Sequence, residues 1–309
     1  MNPSSLTDSH CFSYLIKNQY YRVDGEKARS FLQGQLTQDI LLLSPHHWLS
    51  GAHCDVKGRI LAIYDIFESE ENVYLTLPSE VASIAIPRLN TYAKFSRIQL
   101  TPMEEWTTLY CWGNSLTLNA IFQKKLNLSF SYENKMIREK ESLWLYSYLE
   151  PFAHYEIIAP LSYCKKIQEI LAPEVLSSSL VMYDAWNILR GVPRIFSDTV
   201  GLFTPHELNL PARHMVSFEK GCYTGQEIIA RMEHRGKLKS KLYYTSYEES
   251  TPPPPRGTPL KQNHRVCGTL VMAASPTPEQ HVLLVLLQED ALQGSVDLNG
   301  LTLKDFSIP

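Results

Sequence analysis

A lysine–glycine pair, Lys57-Gly58, joins His53-Cys54-Asp55-Val56 to the apolar run from Ile60 to Phe67. Glycine tolerates the left-handed backbone of a tight turn, so the two flanks are expected to fold back on each other as a hairpin. Strands joined that closely run antiparallel, because parallel neighbours need a crossover on the order of a dozen residues. Around this hairpin, strands and helices interleave. Asp24 is positioned to cap a helix that carries Ala28, Phe31 and Leu32 on one face and ends near Gly34. Val73 to Leu77 reads as a strand, Pro78-Ser79 as the start of a helix with Ile84 and Leu89, and Arg97 to Leu100 as a returning strand. The predicted class is therefore α+β with mixed, largely antiparallel sheets, and not a doubly wound parallel sheet.

Pro102-Met103-Glu104-Glu105 marks a boundary. Beyond it come a strand at Leu109 to Trp112, a helix after Gly113-Asn114, strands at Leu143 to Tyr148 and Tyr155 to Ala159, and a helix from Leu161 to Leu171. That order is compatible with a small ferredoxin-like unit, read as scaffold. Ser178 to Gly191 is a helix closed by its glycine, with Pro193 as a stop signal. Phe203 to Phe218 holds turn formers and little periodicity, as a functional loop does. A proline-rich connector, Thr251 to Gly257, precedes short strands at Cys267 to Ala273, His281 to Leu287 and Leu301 to Leu303. These predict a small barrel-like all-β domain.

A chain of 309 residues with 44% apolar and 20% charged residues can bury a core in two or three domains. Its net charge of −3 gives no global attraction to nucleic acid or anionic membrane, so any such site must be local. The first residues lack a basic and apolar leader pattern, and the longest apolar run, Val282 to Leu287, is too short to span a bilayer. Six cysteines are scattered without a C-x-x-C pair, which suits neither a disulfide framework nor a metal site. A cytoplasmic, thiol-reduced protein without a metal centre is expected. Walker A, G-x-G-x-x-G, H-E-x-x-H and G-x-S-x-G patterns are missing from the sequence.

The strongest chemical signal is Lys220-Gly221-Cys222-Tyr223-Thr224-Gly225-Gln226-Glu227. Thr224 and Glu227 have capping-box spacing ahead of Ile228, Ile229 and Met232, and Gly236 falls where the helix should end. Cys222 then sits just before a helix N-terminus with Lys220 nearby. Unpaired N–H groups and an ammonium both favour thiolate. The competing reading is a small buried cysteine in a glycine-rich turn. A second signal follows: Arg231, Arg235, Lys237, Lys239 and Lys241 within eleven residues, opposed by Glu233. As a strand, Lys237, Lys239 and Lys241 line one face, which suits an anionic ligand, polyglutamate or RNA backbone. The alternative is a solvated edge strand protected by lysines.

Lys220 to Glu227 resembles the signature of the YgfZ-type folate-binding, tRNA-modification proteins, relatives of the glycine-cleavage T-protein (aminomethyltransferase). Gln33-Gly34-Gln35-Leu36-Thr37-Gln38-Asp39, His53 to Arg59, Phe203-Thr204-Pro205 with Asn209-Leu210, and Cys267-Gly268-Thr269 resemble further stretches of that family, in the same order. The resemblance implies three domains around a central hole. These are a folate-binding domain (residues 1–101 with 178–240), a ferredoxin-like domain (102–177) and a C-terminal β-barrel (241–309). It implies a tetrahydrofolate-type cofactor and a role supporting iron–sulfur enzymes, tRNA-modifying ones among them, with Cys222 and Lys220 as the reactive pair. Tyr183, Gln226, Glu227 and Arg231 are the expected folate contacts. Tyr183 stands where the family carries a folate-associated Trp, and it offers a flat stacking face. Two departures are evident. Ala62 stands where aminomethyltransferases carry a catalytic Asp, so proton handling for aminomethyl transfer lacks its agent. Leu189 occupies the place of a pterin-binding Glu. Alternatives are a folate-dependent aminomethyltransferase or demethylase, and a tRNA-binding module built on the 231–241 strip.

Overall fold

The computed structural model describes residues 11–69, 71–128, 135–139, 142–149, 152–235 and 239–308. The chain begins with β1 (Cys11–Ile16), β2 (Asn18–Asp24), α1 (Ala28–Gln33), β3 (Leu49–Cys54), β4 (Ile60–Ser69), β5 (Asn72–Pro78), α2 (Ser79–Phe95) and β6 (Gln99–Pro102). The first sheet has the order β3-β4-β5-β2-β6, and its neighbours pair antiparallel. β3 and β4 are the hairpin expected around Lys57-Gly58. Asp55 closes its turn, with Oδ1 accepting from the amides of Lys57 and Arg59 at 2.8 and 2.9 Å. Gly58 adopts φ +71° there.

Asp24 does not cap α1. It ends β2, where its carboxylate accepts from Arg22 Nε at 2.6 Å and Thr101 Oγ1 at 2.5 Å. The helix starts after Lys27 without a side-chain cap. A strand-end carboxylate with two donors in reach has no reason to turn toward the helix.

The second sheet is built from β7 (Trp106–Asn114), β8 (Lys135–Glu139), β9 (Ser142–Leu149), β10 (Phe152–Pro160) and β11 (Val175–Ser177), with α3 (Ser115–Leu126) and α4 (Leu161–Leu171) packed on it. Its order, β11-β1-β7-β10-β9-β8, includes β1 from the chain start. β1 therefore pairs within this sheet and not within the first. β1 runs parallel to β11 and antiparallel to β7, separating two strands that a plain ferredoxin-like order would pair. Cys11 packs with the α3 and α4 cluster on one face, while Phe12, Tyr14 and Ile16 pack with Trp112 and Trp186 on the other, so β1 is covered on both sides.

α5 (Leu180–Leu189) follows, capped by Ser179 and closed by Gly191 at φ +59°. α6 (Gln226–Arg235) leads into β12 (Ser240–Glu248), β13 (Pro259–Gln262), β14 (Arg265–Ala274), β15 (Gln280–Gln288), β16 (Val296–Leu298) and β17 (Leu301–Leu303). This third sheet, ordered β12-β15-β14-β13-β16-β17, curls on itself. Tyr244 and Ser307 exchange two main-chain hydrogen bonds of 2.9 Å, bringing the segment after β17 back to β12. Barrel closure hides sheet edges that would otherwise pair with other chains.

α5 sits where the three units meet. Ala185 and Ile188 join Val271, Met272 and Leu284 of the third sheet in one core cluster. Trp186, with Met182 and Tyr183, packs instead on Tyr110 and Trp112 of β7. Among the described residues, no helix is long and apolar enough to cross a membrane.

Candidate functional site

Three of the motif stretches converge on the β3–β4 turn. Lys220 Nζ donates to the carbonyls of Gln33, Leu36 and Gln38 at 2.7, 2.6 and 2.7 Å. The Thr224 amide donates to Gly34 O at 3.2 Å. Thr37 Oγ1 donates to Met215 O at 2.7 Å and accepts from the Ala52 amide at 2.9 Å. Gly225, at φ +84°, lies so close to the hairpin that a Cβ there would stand 2.5 Å from Asp55 O. The Phe203 stretch joins them through Ile60 N to Phe203 O at 2.8 Å, and Arg59 bridges to Leu202 O at 2.7 Å and to Glu207 at 3.1 Å.

This convergence corrects two expectations. All three Lys220 donors are taken by carbonyls that the end of α1 and the following turn leave open, so the ammonium is a buried clamp rather than a partner aimed at Cys222. Burial pushes its pKa down to about 8. The Thr224–Glu227 capping box does not form. α6 begins at Gln226, after the left-handed Gly225, and Glu227 pairs with Arg231 at 3.2 Å across one helical turn. A close approach of backbone to backbone at residue 225 sets the entry to the helix, leaving the glutamate in solvent. Cys222 is exposed, whereas the other five cysteines are buried.

A cavity of about 900 Å³ lies between the first two sheets, α5 and the 192–219 loop. Tyr183 and Asn187 reach it from α5, Arg190 from the C-cap of that helix, Asp65 from β4, Glu156 from β10 and Arg213 from a short 3-10 turn (Pro211–Arg213). Tyr183 meets Tyr110 edge-on at 4.6 Å between centroids. The Arg190 guanidinium lies 4.0 Å from the Trp186 ring centroid. Arg190 and Arg213 form no carboxylate ion pair among the described residues, and the Nε of each is buried without a hydrogen-bond partner. His154 Nδ1 is buried and unpartnered as well. Burial, and then the neighbouring Arg190, lower Arg213 to about 10. On the carboxyl side, burial raises Glu156 to about 7, and burial followed by the charge of Glu156 raises Asp65 to about 7.

Of the sequence-predicted site residues, the cavity gathers Tyr183 alone. Cys222, Gln226, Glu227 and Arg231 do not line it, and Lys220 joins its wall through its chain neighbour Glu219 and through its hydrogen bond to the Gln38 carbonyl. Ala62 is fully buried in the core cluster, whereas Ile63 and Asp65 face the cavity, as strand alternation requires. Leu189 is also buried. Asp65, Glu156, Arg190 and Arg213 escaped the reading of the sequence. The available signal was a lone carboxylate inside each of two apolar strand runs, Ile60 to Phe67 and Tyr155 to Ala159, because a buried charge without a purpose is expensive.

The basic strip is partly neutralised. Arg231 pairs with Glu227, and Lys241 pairs with Glu289 at 2.5 Å. Lys239 is exposed, the side chain of Arg235 is not described, and Lys237 lies outside the described residues.

The fold is that of the aminomethyltransferases of the glycine-cleavage system. The aminomethyltransferase T structure from Bartonella henselae superposes with a TM-score of 0.75, covering 97% of this chain and 86% of that one at 17% identity. No family model matches the sequence. The tRNA-modifying protein YgfZ of Photobacterium profundum is 30% identical over 86% of this chain and 80% of its own length. The chain belongs to the YgfZ family.

Proposed function

We propose that this protein binds a reduced folate in the cavity beside α5 and acts in tRNA modification by supporting iron–sulfur enzymes, with Cys222 as its functional thiol. The observation that carries the reading is the cavity itself. Its volume of about 900 Å³ lies in the range of small-molecule sites, which are typically about 300–1,000 Å³. Its walls supply what a folate needs: an aromatic face at Tyr183, cationic groups without carboxylate partners at Arg190 and Arg213, and acceptors at Asp65 and Glu156. Buried polar atoms such as Arg190 Nε and His154 Nδ1 lack partners that a ligand would provide. When bound, a reduced folate supplies a one-carbon carrier.

The chain's own residues divide the work. Tyr183 offers a stacking surface held edge-on by Tyr110, and the guanidiniums of Arg190 and Arg213 bind carboxylates of the ligand. Lys220 ties the Cys222 loop to the cavity wall through Gln38. Aminomethyl transfer is disfavoured because residue 62 is a core alanine. Direct tRNA binding by the 231–241 strip is disfavoured by the ion pairs of Arg231 and Lys241.

Calorimetric titration with tetrahydrofolate tests the cofactor: the wild-type protein binds it, and Tyr183→Ala binds it about tenfold or more weakly, the loss of one stacked ring. The absence of binding to the wild type removes folate from the account. The thiol is tested by complementation of a deletion strain; full rescue by Cys222→Ala overturns that role.

A further inference from the structure

Two arginines on the cavity wall lack the counter-charge that a third one has. Arg194 is paired with Asp184. Arg190 and Arg213 are paired with no carboxylate among the described residues, although Asp65 and Glu156 line the same cavity. Arg190, the C-cap of α5, is 7% exposed, and its guanidinium carbon lies 4.0 Å from the Trp186 ring centroid. Arg213 Nη1 donates at 3.5 Å to the carbonyl of Gly191, the residue after Arg190, which brings the second guanidinium to the same turn. His154 of β10, 6% exposed, stacks on Tyr110 at 5.0 Å and meets Trp186 edge-on at 6.0 Å between centroids. The Nε of each arginine and the Nδ1 of His154 are buried without a hydrogen-bond partner. Three separate elements thus bring one unanswered nitrogen each to one cavity.

Like charges in a partly dry space repel, and desolvation adds to the cost. Both effects act on Arg213, where burial and then the neighbouring Arg190 lower the pKa to about 10. Burial, then Arg190 and Arg213, hold His154 well below its ordinary pKa, so it is neutral and adds a hydrogen-bonding group rather than a third charge. Asp65 and Glu156 supply only part of the missing charge at neutral pH, because burial raises both to about 7. A wall that needed only filling would be served as well by apolar side chains.

We propose that Arg190, Arg213 and His154 form a binding site for a phosphate dianion, either the free ion or the monoester of a nucleotide. Two guanidiniums call for two negative charges, and a single carboxylate supplies one, with its acceptors in one plane. A phosphate dianion supplies both charges, and its tetrahedral oxygens accept from donors that arrive from different elements. Guanidinium forks match those oxygens two at a time. His154 donates in the tautomer protonated at Nδ1, with Nε2 left toward Glu156 Oε1 at 3.6 Å. The rest of the cavity, about 900 Å³ in all, has room for a nucleoside beside the Tyr183 ring. This goes beyond the folate reading, since tetrahydrofolate carries no phosphate; its carboxylates compete for the same guanidiniums.

Inorganic phosphate, guanosine monophosphate, guanosine, glutamate and tetrahydrofolate are titrated calorimetrically into wild type, Arg190→Met and Arg213→Met, each checked for folding by thermal melting. The titrations are run at about pH 8, where a phosphomonoester is doubly charged. Phosphate or the monophosphate should bind wild type and weaken by about tenfold to a hundredfold in each variant, the loss of a charge-assisted contact. Guanosine monophosphate bound more tightly than both inorganic phosphate and guanosine assigns the anion to a nucleotide. Inorganic phosphate bound at least as tightly assigns it to the free ion. The proposal is overturned if neither phosphate binds, if both variants hold the anion within twofold, or if glutamate or guanosine matches it within twofold. Tetrahydrofolate binding in that event leaves the folate reading standing alone; phosphate binding without it leaves the dianion site alone. Should Arg190→Met fail to fold, the half-buried Arg213 decides. Arg213→Lys keeps the charge without the fork, so it should recover only part of the affinity that Arg213→Met loses.

Discussion

Lys220 Nζ donates to the main-chain carbonyl of Gln38 at 2.7 Å, and Gln38 is part of the wall of the central cavity. The residue that opens the motif is thus joined to the cavity, whereas the thiol two residues later faces solvent. Removing the ammonium leaves three carbonyls without their donor. Lys220→Met is expected to lower unfolding free energy by about 2–4 kcal/mol in urea denaturation, the penalty of unpaired buried polar groups. A change below about 0.5 kcal/mol would mean that the clamp contributes nothing to stability.

The two glycines flanking Cys222 and Thr224 should respond differently to the same substitution. Gly225 combines φ +84° with a Cβ position 2.5 Å from Asp55 O, whereas nothing lies within 4 Å of a Cβ at Gly221. Gly225→Ala should destabilise by about 2–4 kcal/mol, from left-handed strain of about 1–2 kcal/mol plus displacement of the hairpin turn. Gly221→Ala should stay within about 0.5 kcal/mol. Thermal melts of the two variants side by side give the comparison.

Thiol accessibility gives a third check. Cys222 is exposed and five cysteines are buried, so a native-state titration with an aromatic disulfide reagent should modify one thiol rapidly and the rest only on denaturation. The fast phase should vanish in Cys222→Ala. Two or more fast thiols in the native protein would contradict the packing of the other five.

Buried Glu156 should make stability depend on pH in a defined direction. Its pKa rises from 4.5 to about 7 on folding, mainly through burial. Between those values the folded state keeps a proton that the unfolded chain has released, so stability falls as pH rises and the loss is complete above about 7. Glu156→Gln has no proton to lose there. The stability difference, variant minus wild type, should move toward the variant by on the order of 2 kcal/mol between pH 4.5 and pH 8. A difference independent of pH would show that the carboxyl titrates normally.

Much of the architecture was legible from local chemistry. The hairpin at Lys57-Gly58, the helix from Leu161 to Leu171 and the helix ending at Gly191 follow from turn glycines, caps and apolar periodicity, which act over a few residues. The motif stretches were visible too, and so was the family they resemble. The place of β1 was not legible. Its partners β7 and β11 are about a hundred residues or more away, and strand pairing across that separation leaves no local mark.

The sequence alone placed Cys222, Lys220 and Glu227 in one short motif and determined that they would be neighbours along the chain. Tertiary structure decided what each faces. Lys220 turned inward because the end of α1 leaves carbonyls unfilled, and Glu227 turned outward to Arg231 once Gly225 had packed against Asp55. The cavity wall came from elsewhere, since Asp65, Glu156, Arg190 and Arg213 sit on separate elements that only folding gathers. Spacing fixes which side chains share an element; which elements meet is settled by burying their apolar faces against one another.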